Sequence, residues 1–162
     1  MSVEQVRAFF AERGLSFEIR ELCESTGTVE LAARALGVEP ALIAKTLAFT
    51  VAGRGIIVVT AGDARIDNKK FRKTFQAKAR MMSPQEVWET TGHPVGGVCP
   101  FGLKNRLGIY LDVGLKRYAR IYPAAGSVNS HIRITPGELC IITGGTWVDV
   151  CRDRGESEKS RA

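Results

Sequence analysis

Three short segments of this sequence carry the residue types best suited to chemistry. The first is Ile43-Ala44-Lys45-Thr46-Leu47, where a lysine sits among apolar neighbours as helical patterning gives way to strand patterning. Held partly inside, that ammonium offers three donors and a positive charge to a carbonyl or phosphate oxygen. On the surface it would instead snorkel over the core. The second segment, His93-Pro94-Val95-Gly96-Gly97-Val98-Cys99-Pro100-Phe101-Gly102, is dense in glycine and proline. Paired glycines let main-chain N–H groups approach a ligand closely, and prolines stiffen the loop. Consecutive amides so arranged build an anion or oxyanion site, unless the loop is a plain connection. The third, Ala124-Ala125-Gly126-Ser127-Val128-Asn129-Ser130-His131, pairs small residues with a histidine able to face the space they leave. A lone histidine that begins a strand is more often structural than functional.

Other routes to chemistry are missing. The sequence has no G-x-x-x-x-G-K-[ST] loop, no G-x-S-x-G elbow, no H-E-x-x-H and no G-x-G-x-x-G. An enzyme built from it must work with few side chains and with backbone donors. The four cysteines (Cys23, Cys99, Cys140, Cys151) are widely spaced, and only His93 and His131 would join them as soft ligands. Close ligand pairs preorganise a zinc site, so neither metal nor cofactor is expected, and reduced thiols fit a cytoplasmic protein. No apolar run reaches the roughly 18 residues of a membrane span, and the N-terminus does not read as a signal peptide.

The elements that must position these segments follow from local pattern. Val3, Val6, Phe9 and Phe10 mark one face of a first helix ended near Gly14. A strand is expected over 16–22, then a helix capped by Thr28 and closed by Gly37, with Pro40 opening a short turn. Strand patterns over 46–51 and 56–60 flank Gly53-Arg54-Gly55, which predicts a hairpin. Asp67 caps a basic helix carrying Phe71 and Phe75, and Ser83-Pro84-Gln85-Glu86 forms a capping box for a helix that stops at Gly92. Strands are expected near 107–113, 119–124, 130–135 and 139–143, with a polar tail over 152–162 expected to be disordered. The mixture lacks strict βα alternation, so one α+β domain over residues 1–151 is the expected architecture.

Charge adds one clue. The chain carries a net +6, and the stretch from Ala64 to Arg80 holds seven bases against the single acid Asp67. Such a cluster suits a polyanion, with Lys69, Lys70, Arg72 and Lys73 as the candidate contacts; a solvated helix face is the other reading.

Taken in order, these segments resemble the YbaK/ProX family of aminoacyl-tRNA deacylases, from about Leu15 to Asp149. The resemblance rests on Thr28…Ala33…Leu36-Gly37-Val38, Ile43…Lys45-Thr46-Leu47, the Gly96–Gly102 run, Leu111-Asp112, and Gly126 leading into His131-Ile132-Arg133-Ile134. It implies a mixed, largely antiparallel, barrel-like sheet surrounded by helices, and hydrolysis of the ester joining an amino acid to the end of a tRNA. The family lysine maps onto Lys45, and loop amides at Gly97 and Val98 are expected to stabilise the oxyanion. Gly96, Cys99, Pro100 and Phe101 are expected at the substrate, as are Gly126 and Ser127, while Thr46 and His131 fall at amino-acid pocket positions. Histidine at 131 is typical of alanine-type relatives and leans away from cysteine, whereas threonine at 46 departs from their usual asparagine and suits serine or threonine. The implied partners are a mischarged tRNA and a synthetase, prolyl-tRNA synthetase first among them, for a monomer or dimer. A tRNA-binding module without catalysis, or an amino-acid-sensing partner of a synthetase, are the alternatives.

Overall fold

Strands β2 (Ile43–Val51) and β3 (Arg54–Ala61) form the hairpin on which the rest is assembled. Their turn is Ala52-Gly53, one residue earlier than the pattern suggests, with φ of 50° and 78°. Positive φ at both central residues gives a turn whose twist matches the strands, so Arg54 pairs with Val51. The computed structural model describes residues 2–153; the remainder of the expected tail, 154–162, lies outside the described residues.

The sheet runs β4 (Arg80–Met81), β2, β3, β5 (Gly108–Asp112), β8 (Thr146–Val148), and β6 (Tyr122–Pro123) also pairs with β2. The long β2–β3 ladder and the β2–β4 pair are antiparallel, whereas β3–β5, β5–β8 and β2–β6 are parallel. No ladder joins the two ends of the path among the described residues. A separate pair joins β1 (Arg20–Glu21) to β7 (Ser130–His131).

Central β3 is flanked on both edges and covered on both faces, which accounts for its unbroken burial from Ile56 to Ala61. On one face, α3 (Asn68–Phe75) places Phe71 against Phe49 and Val58. On the other, α1 (Ser2–Glu12) sends Val6 and Phe10 into a core with Phe101, Leu111 and Ile132. Alternation along β2 puts Lys45, Leu47 and Phe49 on the α3 face and Thr46 and Ala48 on the opposite one. There α4 (Pro84–Thr91) packs Val87 on Ala48 and Ile57. Helix α2 (Val29–Leu36) is capped by the Thr28 hydroxyl, which accepts from the Leu31 N–H, and ends at Gly37.

The segment 139–143, expected as a strand, belongs to helix α5 (Pro136–Thr143). Its β-branched run suggested extended chain, but Thr135 and Glu138 close a reciprocal capping box with proline at the first turn. The sheet takes β8 instead. Of the strands expected over 16–22, 119–124 and 130–135, only two-residue pieces are regular. Isolated bridges, Ile121 with Ile134 and Ala124 with His131, hold their flanks.

Candidate active site at the open edge of strand β2

Strand β2 has a gap along its outer edge. Strand β6 covers it at Ile43 and Ala44, β4 covers it at Phe49 and Thr50, and the Met82 N–H donates to the Ala48 carbonyl at 3.0 Å. Residues 45–47 have no partner strand there. Continuing the β4 register would set Pro84 opposite Thr46, but proline has no N–H to give and already opens helix α4. A cavity of about 320 Å³ opens at this gap. Its walls are Lys45 to Ala48, Thr26 to Val29 before and within α2, Pro84 and Val87 of α4, and Val95, Gly96, Val98, Ala124 and His131.

Lys45 lines this space, yet its ammonium is turned along the α3 face. There it donates to the Ala64 carbonyl at 2.6 Å and the Gly62 carbonyl at 3.3 Å. Burial lowers its pKa, opposed by the nearby Cys151 and Asp63. It is therefore a fixed, partly desolvated cation with a third N–H left over.

Across the gap, the glycine loop divides into a front and a back. Gly96 (φ +90°) and Val98 face the cavity. Gly97 does not: a Cβ there would meet the Ser127 backbone at 2.7–2.8 Å, and its carbonyl accepts from the Gly126 N–H. The Gly97 N–H closes a turn onto the Pro94 carbonyl at 2.9 Å, so it is not a spare donor. The N–H of Val98, by contrast, has no partner among the described residues. Cys99 and Phe101 are fully buried in the α1 core, where burial pushes the Cys99 thiol up to about 12. Pro100 and Gly126 are buried outside the cavity lining. The Ser127 hydroxyl donates to Asn129 Oδ1 and accepts from the Ser130 hydroxyl, both at 2.8 Å. These five residues, Cys99 to Phe101 with Gly126 and Ser127, support the wall from behind. A glycine-rich run reads as ligand-facing in sequence, while its close packing on a second loop is a tertiary fact.

His131 and Thr46 both face the cavity. His131 is buried beside Arg20, and desolvation first, then that guanidinium, lower its pKa to about 4, so the imidazole is neutral at pH 7. Its Nδ1 lies 3.5 Å from the Thr26 hydroxyl, which donates to the Val128 carbonyl at 2.8 Å. The Thr46 Oγ1 is buried and has no hydrogen-bond partner. Thr26 is a lining residue the sequence reading missed; its only signal was the hydroxyl-rich run Ser25-Thr26-Gly27-Thr28 before α2. His93 is structural: its ring Nε2 lies 2.7 Å from the Phe101 carbonyl, which it meets as a donor, holding the loop shut.

A second cleft of about 210 Å³ lies beyond Lys45, lined by Arg65, Asp112, Arg117, Asp149 and Cys151 among others. Its acids are taken up. Asp112 accepts from the Gly114 N–H at 2.9 Å and the Val150 N–H at 3.1 Å. Lys70 donates to Asp153 at 2.7 Å, Asp149 at 3.1 Å and the Cys151 carbonyl at 3.0 Å, and these carboxylates raise its pKa. Lys70 is thereby committed within the protein. Lys69, Arg72 and Lys73 remain exposed along α3.

A mixed α+β domain with a small, mostly apolar cavity, main-chain donors and one partly desolvated lysine has the makings of a small-ligand binding or hydrolytic domain. Among the described residues no three His, Cys, Asp or Glu side chains gather as metal ligands, and no helix is long and apolar enough to cross a membrane. The chain belongs to the aminoacyl-tRNA editing domain family, which matches residues 23–140. That family comprises deacylases of mischarged tRNA. The chain is similar to "Uncharacterized protein YwhH" of Bacillus subtilis, with 50% identity over 94% of this chain and 99% of that one. It shares 29% identity with the "Putative Cys-tRNA(Pro)/Cys-tRNA(Cys) deacylase EbsC" of Enterococcus faecalis, over 76% of each. A crystal structure of "a putative trans-editing enzyme for prolyl tRNA synthetase" superposes with a TM-score of 0.87 at 33% identity, covering 94% of this chain and 98% of that one. Proline–tRNA ligases match as well; the chain spans 24% of the one from Bacillus licheniformis.

Proposed function

We propose that this protein is an editing deacylase that removes a small amino acid, alanine or serine/threonine, from a mischarged tRNA. The observation that carries the reading is the cavity at the β2 gap, where Lys45 lines one wall with its ammonium held on the α3 side and the unclaimed Val98 amide faces the same small space. In the reaction water attacks the ester carbonyl, a C–O bond to water forms, and the bond to the ribose oxygen breaks as that oxygen takes a proton. Lys45 supplies positive charge, and its N–H reaches the carbonyl or the neighbouring phosphate when the side chain turns from the Gly62 and Ala64 carbonyls toward the cavity. The Val98 N–H serves the developing oxyanion, the part first assigned to Gly97 and Val98 together. Removing one donor of this kind typically costs about 2.7–4 kcal/mol of barrier.

The side-chain end of the cavity supports a small, hydroxyl-tolerant substrate. An orphaned Thr46 hydroxyl and a neutral imidazole can pair with a β-hydroxyl, which within that range favours serine or threonine over alanine. The name of the Enterococcus faecalis relative favours a second reading, cysteine. Exposed Lys69, Arg72 and Lys73 would meet the acceptor stem, and a prolyl-tRNA synthetase is the partner that the structural neighbour's description suggests. The test is a deacylation panel of Ala-, Ser-, Thr- and Cys-tRNA on more than one tRNA species. Preferred cleavage of the alanyl, seryl or threonyl ester is expected. Preference for cysteine moves the assignment to the second reading, and binding without cleavage reduces the protein to a tRNA-binding module.

A further inference from the structure

The gap in β2 leaves a main chain as well as side chains unused. In the β2–β3 ladder Val51 and Arg54 flank a two-residue turn, so they exchange hydrogen bonds, as do every second pair along the ladder: Phe49 with Ile56, Leu47 with Val58, Lys45 with Thr60. Thr46 and Val59 form a pair of the other kind, and both the N–H and the C=O of Thr46 point outward from the hairpin. Ala48, two residues on, uses the same edge to accept from Met82. Ala44, two residues back, is covered by β6. At Thr46 neither neighbour continues: β6 stops at Pro123, and the position β4 would fill is Pro84. A strand edge offering one donor and one acceptor, open over a single residue and facing a cavity, is a template for pairing with one amino acid.

We propose that the esterified amino acid docks here as a one-residue strand. Its α-ammonium donates to the Thr46 carbonyl oxygen, and its ester carbonyl accepts from the Thr46 N–H. This rests on the deacylase reading and deepens it by assigning the group that recognises the α-amine. The arrangement fits the rest of the cavity. In such a pair the two side chains lie on the same face, with Cβ atoms about 4.5–5.5 Å apart. The substrate side chain then falls beside the Thr46 hydroxyl, on the face of Ala48 and Val87 and away from the Lys45 ammonium. The ester carbonyl keeps a second lone pair for the Val98 N–H.

The test compares the best aminoacyl-tRNA of the deacylation panel with the same tRNA carrying the deamino acid: alanyl against propionyl, or seryl against 3-hydroxypropionyl. Each kcat/KM is divided by that ester's spontaneous hydrolysis rate, which removes the intrinsic activation by the ammonium. Loss of one charge-assisted hydrogen bond is expected to lower the normalised value about 10- to 100-fold. A protein-side arm replaces Thr46 with its α-hydroxy acid, which deletes the N–H and keeps the side chain. A fall of about 10-fold is expected for the aminoacyl ester, in protein whose melting temperature shows that it remains folded. Equal normalised values for aminoacyl and deamino esters overturn the proposal while leaving the deacylase intact. If no aminoacyl ester is cleaved at all, the functional reading falls and this one with it.

Discussion

The two clefts on either side of Lys45 have similar ingredients and opposite states. Around Asp112 and Cys151 each acid named above has partners: Asp112 accepts two backbone N–H groups, and Asp149 and Asp153 share Lys70. Around Thr46 the polar groups are left open, with a buried hydroxyl, a strand edge and the Val98 amide all without partners. Buried polar groups cost free energy when unpaired, so a concentration of them around one cavity marks a place where a ligand could complete them, whereas the lone unpartnered His93 Nδ1 lies outside it. The satisfied cleft contributes to stability, and the unsatisfied one is where the proposed substrate would supply the missing partners.

If that division is right, substitutions on the two sides separate activity from stability. The largest effect is expected at the junction: Lys45→Ala should lower deacylation roughly 100- to 1,000-fold while tRNA binding, read by filter retention, survives. Undiminished turnover would place the chemistry elsewhere. Asp112→Ala should do the reverse, leaving two backbone donors without an acceptor and costing on the order of 2–4 kcal/mol in denaturant unfolding, with kcat little changed in the folded fraction. His131 sharpens the picture through pH. Its folded pKa of about 4 lies below the unfolded value near 6.5, so the unfolded chain binds the extra proton between the two. Stability should therefore fall as pH drops from about 6.5 to about 4, by up to about 3 kcal/mol, and His131→Asn should flatten that slope. The smallest effect belongs to the bridges on α3. Lys70→Met should cost about 1 kcal/mol or less and leave tRNA affinity unchanged, whereas reversing Lys69, Arg72 and Lys73 to Glu should weaken binding and reduce its salt dependence.

Much of the frame was legible because its signals are local. The Thr28 cap, the Ser83 capping box, the Asp67 cap and the 46–60 hairpin all announce themselves within a few residues. The capping box at Thr135-Pro136-Gly137-Glu138 was equally local but lost to the β-branched residues after it, which is why α5 was expected as a strand. The site was legible only in part. Lys45, Thr46, Gly96, Val98 and His131 do share one cavity, but the front and back of the glycine loop differ by contacts made thirty residues away, at Gly126 and Ser127. Lys70 looks like its neighbours in sequence and differs from them only through the strand that brings Asp149 alongside.

The seating of Gly97 flat against Ser127, locked by the bond from the Gly126 N–H to the Gly97 carbonyl, makes two distant loops into one slab. Neither half can shift outward to admit a bulkier guest without dragging the other along. A change in the amino acid this chain accepts is therefore expected to come from what projects from the walls, at positions such as 46 and 131, with the spacing between the walls left as it is.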